Sequence, residues 1–193
     1  GLRGFFVGPR LESKADEGED KMELGARREG KTAWQIAEFY TLSFLEDAKM
    51  LRFDFAPASA PARRDTGEPI DMLCRATEHL DEQWAMVERR REKGFSYETS
   101  DGIYFDTAKL SSYGELAGAR HLAGIEEGKR VAANPEKRGA SDFALWKFSP
   151  PGGKRQMEWA YGGRKGFPGW HIECSAMAQT YLGDRFDIHC GGV

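Results

Sequence analysis

His171, Cys174 and His189 fall close together near the end of the 193-residue chain. Imidazole nitrogen and thiolate sulfur are the usual ligands of zinc and similar borderline metals. His171 and Cys174 are three residues apart, so a helix puts them on one face. No Cys-x-x-Cys or His-x-x-x-His spacing accompanies them. From the residues alone, then, Cys174 stands open between a metal ligand and a small buried apolar group. Trp170, next to His171, reads by itself as core. Gly191 and Gly192 follow His189 and Cys190. Glycines at the carboxyl end of a strand are where ligands approach the backbone in open α/β sheets.

Stepping outward, the residues that would hold this group in place form a loop, a helix and a strand. Gly166, Pro168 and Gly169 punctuate a loop. Trp170 to Tyr181 has small and apolar residues at helical spacing, and Gly183 sits at the C-cap position. Phe186 to His189 reads as a short strand. Earlier in the chain, Arg3 to Val7 reads as the end of a buried strand turned by Gly8-Pro9. The charge-dense run Ala15 to Arg28 reads as a solvated loop or short helix. Thr32-Ala-Trp-Gln35 has the form of a capping box. The helix it starts should reach about Leu51, with Trp34, Ala37, Thr41, Phe44, Leu45 and Ala48 on or near one core-facing stripe. Ala56 to Pro69 is a loop or linker rich in proline. Thr77 to Lys93 is the second helix, with Leu80, Trp84 and Val87 inward, His79 on the polar side, and Gly94 as its stop. Phe95 to Asp106 is a hairpin turning at Asp101-Gly102. Leu110 to Gly128 is irregular and includes His121. Lys129 to Ala132 is a short strand at best, and Asn134 to Arg138 is a basic turn. Ser141-Asp142 caps Phe143 to Lys147, and Pro150 to Gly153 loops back to the opening stretch. The chain contains no internal repeat.

Composition bounds the function. Hydrophobic residues make up 40% and charged residues 31%, a globular balance with net charge −3. A pI near 5.9 gives no overall basic field, which argues against a dedicated RNA-binding module while leaving room for local patches. The three cysteines imply no framework of bridges and fit a reducing compartment, the cytoplasm. No apolar run is long enough to span a membrane. Gly1 to Gly8 is too short and polar for a signal peptide. The chain begins without Met and ends on Gly-Gly-Val, so it reads as an internal fragment.

The run Gly166-Phe-Pro-Gly-Trp-His-Ile-Glu-Cys-Ser-Ala-Met177, followed by Phe186-Asp-Ile-His189, resembles the signature of cysteinyl-tRNA synthetase. Further blocks resemble the same family in the same order: Asp16 to Met22, Arg75-Ala-Thr-Glu-His79, Lys93 to Tyr97, Asp101 to Asp106, Tyr113-Gly114 and Asp142 to Lys147. The resemblance implies an α/β fold: a partial Rossmann-like class I synthetase catalytic core with an inserted α+β connective domain. Residues 1–75 would be the back part of the first Rossmann half, 76–160 the insertion, and 161–193 the start of the second half. It implies a cysteine–tRNA ligase that activates cysteine with ATP and Mg²⁺ and passes it to tRNA(Cys). By the same resemblance Cys174 is one ligand of a zinc ion that holds the substrate thiolate. Trp170 lines the amino-acid pocket, His171 and His189 belong to a histidine cluster beneath it, and Gly191 and Gly192 lie near the ATP.

Several family features are not matched. The two phosphate-binding loops, His-Ile-Gly-His and Lys-Met-Ser-Lys-Ser, are absent from the chain. The other zinc ligands would lie outside it. A substrate-contacting Thr-Asp pair aligns with Gly4 to Val7, and Ser-Pro-Trp-Gly with Ala160 to Gly163. Cys190 replaces a glycine and reads as a packing substitution. The expectation is therefore a piece that is inactive alone. The runners-up are a cysteine ligase like the mycothiol-pathway enzyme, which joins cysteine to an amino sugar, and a truncated non-catalytic paralogue that only binds a partner.

Overall fold

The computed structural model describes residues 3–7, 21–53, 71–115, 134–152 and 155–190, of which 3–7, 21–22 and 71–72 are described by backbone only. The expected linker 56–69, the strand at 129–132, His121, Gly191 and Gly192 lie outside the described residues.

Strand β1 (Arg3–Val7) pairs in parallel with β2 (Asp71–Arg75), in register from Arg3 opposite Asp71 to Val7 opposite Arg75. A parallel pair needs a crossover rather than a tight turn. Two helices lie between these strands in sequence, α1 (Lys21–Glu29) and α2 (Ala33–Met50). The capping box at the start of α2 forms as expected. The Gln35 amide donates to Thr32 Oγ1 at 3.1 Å, and the Thr32 amide donates to Gln35 Oε1 at 2.8 Å. The buried stripe of α2 is Ala33, Ile36, Thr41 and Ala48, not its aromatics. Trp34, expected in the core, is 46% exposed and rests edge-on against Trp159. Of the expected stripe, Thr41 and Ala48 are buried and Phe44 and Leu45 half-buried.

The second layer begins after β2 with a 3₁₀ turn (Ala76–Glu78) and α3 (Leu80–Glu92). The sequence reading ran one helix from Thr77, which phased His79 outward. The 3₁₀ turn resets that phase, and His79 is buried at 6% exposure. Five antiparallel strands follow: β3 (Ser96–Thr99), β4 (Gly102–Phe105), β5 (Phe143–Phe148), β6 (Trp159–Tyr161) and β7 (Arg164–Pro168). Their order in the sheet is β3-β4-β5-β7-β6. The hairpin expected at Phe95 to Asp106 is β3–β4. Ser141-Asp142 caps no helix, because Phe143 onward is the central strand β5. Asp142 instead accepts from the Thr107 amide and hydroxyl, from Tyr97 Oη and from the Gly139 amide, which ties the loop before β5 to the hairpin.

The β6–β7 turn needs glycine. Gly162 and Gly163 have φ of +58° and +78°, the pair of left-handed conformations of a two-residue hairpin turn. A Cβ on Gly162 would also sit 2.8 Å from the Trp84 ring. Helix α4 (Ile172–Leu182) then closes the described chain, two residues later than expected, with Gly183 as C-cap. Phe186 to His189, expected as a strand, is irregular and exposed. Among the described residues no neighbouring strand edge pairs with it.

The core is where α3 and α4 meet the sheet. Met86 and Val87 of α3, Ile103 of β4, Leu145 and Trp146 of β5, and Ile172 and Ala176 of α4 form one buried cluster. Helix α4 has a second buried side. Met177 packs on Cys74 and Ala76 at the end of β2, with Tyr181 beside them. The helix that carries Cys174 is thus wedged between the antiparallel sheet and the parallel pair.

Candidate functional site

The site begins at the end of β7, where the chain leaves the sheet and must turn into α4. Two backbone bonds hold that departure. The Gly169 amide donates to the Leu145 carbonyl at 2.8 Å, and the Trp170 amide to the Ala144 carbonyl at 2.7 Å. The approach is so close that a Cβ on Gly169 would lie 2.0 Å from the Ala144 oxygen. Glycine at 169 is therefore what lets Trp170 and His171 sit directly on β5.

His171 takes the N-cap position of α4 with φ of +68°. A non-glycine residue in the left-handed region carries strain of order 1–3 kcal/mol, and such strain persists where the surroundings over-determine it. Here the ring is held edge-on by Phe143 at 5.0 Å and by Trp170 at 5.6 Å between centroids. Its pKa is lowered, first by burial and then by the nearby charge of His189. His189 itself is exposed and tilts against Phe186.

Cys174 lies one turn into α4 and is exposed. Its thiol pKa is raised, by partial desolvation and then by the Glu173 carboxylate. A positive charge beside it would be needed to make it a thiolate. Glu173 is half buried, and burial pushes its carboxyl up to about 7, against a smaller lowering by its own backbone amide. Cys74, fully buried on β2, has a thiol pushed up to about 12, first by burial and in part by the proximity of Cys174 and Glu78.

At the head of α4 the rings of Trp170 and His171 meet edge-on, and Cys174 lies exposed in the first turn that follows; the described contact of His189 is with Phe186. Gly191 and Gly192 lie outside the described residues. Cys190, expected as a packing substitution, is exposed. No group of three or more His, Cys, Asp or Glu side chains able to hold a metal occurs among the described residues. The described donor set thus gives zinc a single thiolate, which is not a complete site. Sequence reasoning missed Glu173, Cys74, His79 and Tyr181. Glu173 could have been noticed as a carboxylate next to a candidate thiolate. The other three meet only through the tertiary fold.

Sequence comparison supplies the class of protein: the catalytic domain of a class I aminoacyl-tRNA synthetase. The family model for the class I (C) tRNA synthetase catalytic domain matches residues 15–193, and the chain belongs to that family. It is similar to cysteine–tRNA ligase 1 of Burkholderia lata, 51% identical over 182 residues, which is 94% of this chain and 35% of that protein. Cysteine–tRNA ligase of Zymomonas mobilis is 42% identical over 183 residues, covering 95% of this chain and 32% of the relative. The enzyme of that name from Pyrococcus horikoshii is 39% identical over 174 residues, covering 90% and 33%. The chain spans about a third of the length of the curated relatives it matches.

Proposed function

We propose that this chain is part of a cysteine–tRNA ligase. The parent would activate cysteine with ATP and Mg²⁺ and transfer it to tRNA(Cys). The observation that carries the reading is the head of α4. Trp170 and His171 are in edge contact there and Cys174 follows in the first turn, in a chain whose relatives bear that name at up to 51% identity. In the first step the cysteine carboxylate attacks the α-phosphate of ATP and pyrophosphate leaves. In the second the terminal ribose hydroxyl of the tRNA takes the aminoacyl group and AMP leaves. This chain's contribution is to the amino-acid side of that chemistry. Trp170 gives the pocket an apolar wall. His171, whose pKa is lowered by partial desolvation of its ring, in its neutral form offers one ring nitrogen as donor and the other as acceptor. Zinc belongs to the reading as the group that would hold the substrate thiolate and reject serine. Cys174 is one ligand, and the rest come from outside the described residues.

In the same reading residues 1–75 are the back of the first Rossmann half, 76–160 the connective insertion and 161–193 the start of the second half. The contrast between a parallel β1–β2 pair and an antiparallel five-stranded sheet supports two architectures in one chain. The 160/161 boundary falls within the β6–β7 hairpin, so the two later parts share a sheet.

The test is ATP–pyrophosphate exchange by the longer protein that contains this chain. Exchange with cysteine and not serine, together with charging of tRNA(Cys), supports the reading. Transfer to an amino sugar in place of tRNA would move it to the mycothiol-type ligase. No exchange with any amino acid would leave only the non-catalytic paralogue. The 193-residue chain alone is expected to show no exchange.

A further inference from the structure

Helix α4 has two kinds of anchor, and only one belongs to the site already described. At its head the β5 carbonyls hold residues 169 and 170. At its tail Tyr181 Oη lies 2.9 Å from His79 Nε2, with the two rings edge-on at 5.2 Å. His79 is only 6% exposed, and it comes from the junction of the 3₁₀ turn with α3, far away in sequence. Its Nδ1 makes no hydrogen bond; the nearest acid, Glu82, has an oxygen 3.6 Å away. A histidine this deeply buried, with a single short polar bond, is built around that bond.

The helical repeat gives the bond its meaning. Tyr181 follows Cys174 by seven residues, which brings it back within about 20° of the same line along the helix. Met177 lies beside that line and packs on Cys74 and Ala76, with Tyr181 against the same cluster. The end of β2 and the following turn thus pack on the side of α4 that adjoins the line through Cys174 and Tyr181. We propose that His79 is a positioning residue: through Tyr181 it sets the rotation of α4 about its axis, and so where the Cys174 sulfur points. A rotation of roughly 20° moves a side-chain root by about 1 Å. A misplacement of about 1 Å costs on the order of 100-fold in a reacting geometry. The inference rests on the reading of Cys174 as part of the cysteine site, but its geometry stands without that reading.

The experiment uses the longer protein that contains this chain, as Tyr181→Phe, His79→Ala, His79→Gln and the double variant His79→Ala/Tyr181→Phe. Two quantities are read: KM for cysteine against KM for ATP in the exchange assay, and the rate of Cys174 alkylation by iodoacetamide after chelation of metal. Tyr181→Phe and His79→Ala should raise the cysteine KM about fivefold or more, leave the ATP KM within twofold, and change the alkylation rate severalfold. The double variant should be no worse than the worse single. His79→Gln, which can still bond Tyr181, should return both quantities to within twofold of the parent. An unchanged cysteine KM with an unchanged alkylation rate overturns the proposal. So does a parallel rise of both KM values with a lowered melting midpoint, which is general loosening. If the unmodified protein shows no cysteine-dependent exchange, the functional reading has failed, and the alkylation rates alone decide whether His79 orients Cys174.

Discussion

At the residue scale the informative group is Glu173. Its carboxyl ordinarily titrates near 4.5 and is raised to about 7 in the fold. A group whose folded pKa is raised binds its proton more tightly when folded, so its contribution to stability is lost as pH rises through that window. Glu173→Gln should therefore make the chain more stable than the parent at pH 8, by up to about 3 kcal/mol. The gap should close as pH falls to 4.5. Urea melts across that range check it, and a pH-independent gap would mean a solvated carboxylate. His171 works in the opposite sense. Its folded pKa is depressed by burial and by His189, so the neutral form is the stable one. Stability should fall as pH drops through 6.5, and His171→Gln should flatten that fall, seen as a smaller acid shift of the thermal midpoint. At this scale His171, Cys174 and His189 were legible as candidate ligands from their types and spacing, whereas Trp170 read as core and its place in a pocket came only from the family resemblance. Glu173 was passed over because a charged side chain in the first turn of a helix is ordinarily solvated.

The element that decides the site is the β7–α4 junction. Gly169→Ala should cost about 3 kcal/mol or more, because the new methyl would have to displace the Ala144 carbonyl that holds the Trp170 amide. Loss of the cooperative transition, or a drop of that size in chemical denaturation, is the expected result; a shift below ~0.5 kcal/mol would show that the junction relaxes freely. A milder case is the α2 cap. Thr32→Ala removes the acceptor for the Gln35 amide and should cost about 1 kcal/mol, read from the urea midpoint. The cap was fully legible, since both partners lie within one turn. The phase of α3 was not. Reading Thr77 to Lys93 as one helix put His79 outward. The 3₁₀ turn at Ala76–Glu78 has a different twist per residue and turned it inward.

Across the whole molecule the outer side of α2 stands out. Phe39, Tyr40, Leu42, Met50 and Leu51 are all more than half exposed, on a helix whose opposite side is already buried. Phe39, Leu42 and Met50 fall on one side of the helix, and exposed apolar side chains grouped on one side promote association. The 193-residue chain should self-associate with rising concentration, seen by light scattering. The double substitution Leu42→Glu/Met50→Glu should suppress that without lowering the melting midpoint. Among the described residues no helix is long and apolar enough to cross a membrane.

What the sequence determined by itself was local. The capping box, the β3–β4 hairpin, the helix bearing His171 and Cys174, and the family motif all depend on residues within one or two turns of each other. Propensity, glycine placement and apolar periodicity act over that range. Three things were decided only by the tertiary structure. Phe186 to His189 has strand-forming residues, but among the described residues no free edge pairs with it, and a strand without a partner has no hydrogen-bonding reason to form. Trp34 matches the core stripe of α2 in sequence but lies 46% exposed against Trp159, while Thr41 and Ala48 of the same stripe are buried. Cys74, His79 and Tyr181 meet only because α4 is wedged against the end of β2. That contact joins residues about a hundred positions apart, and no local rule reaches so far.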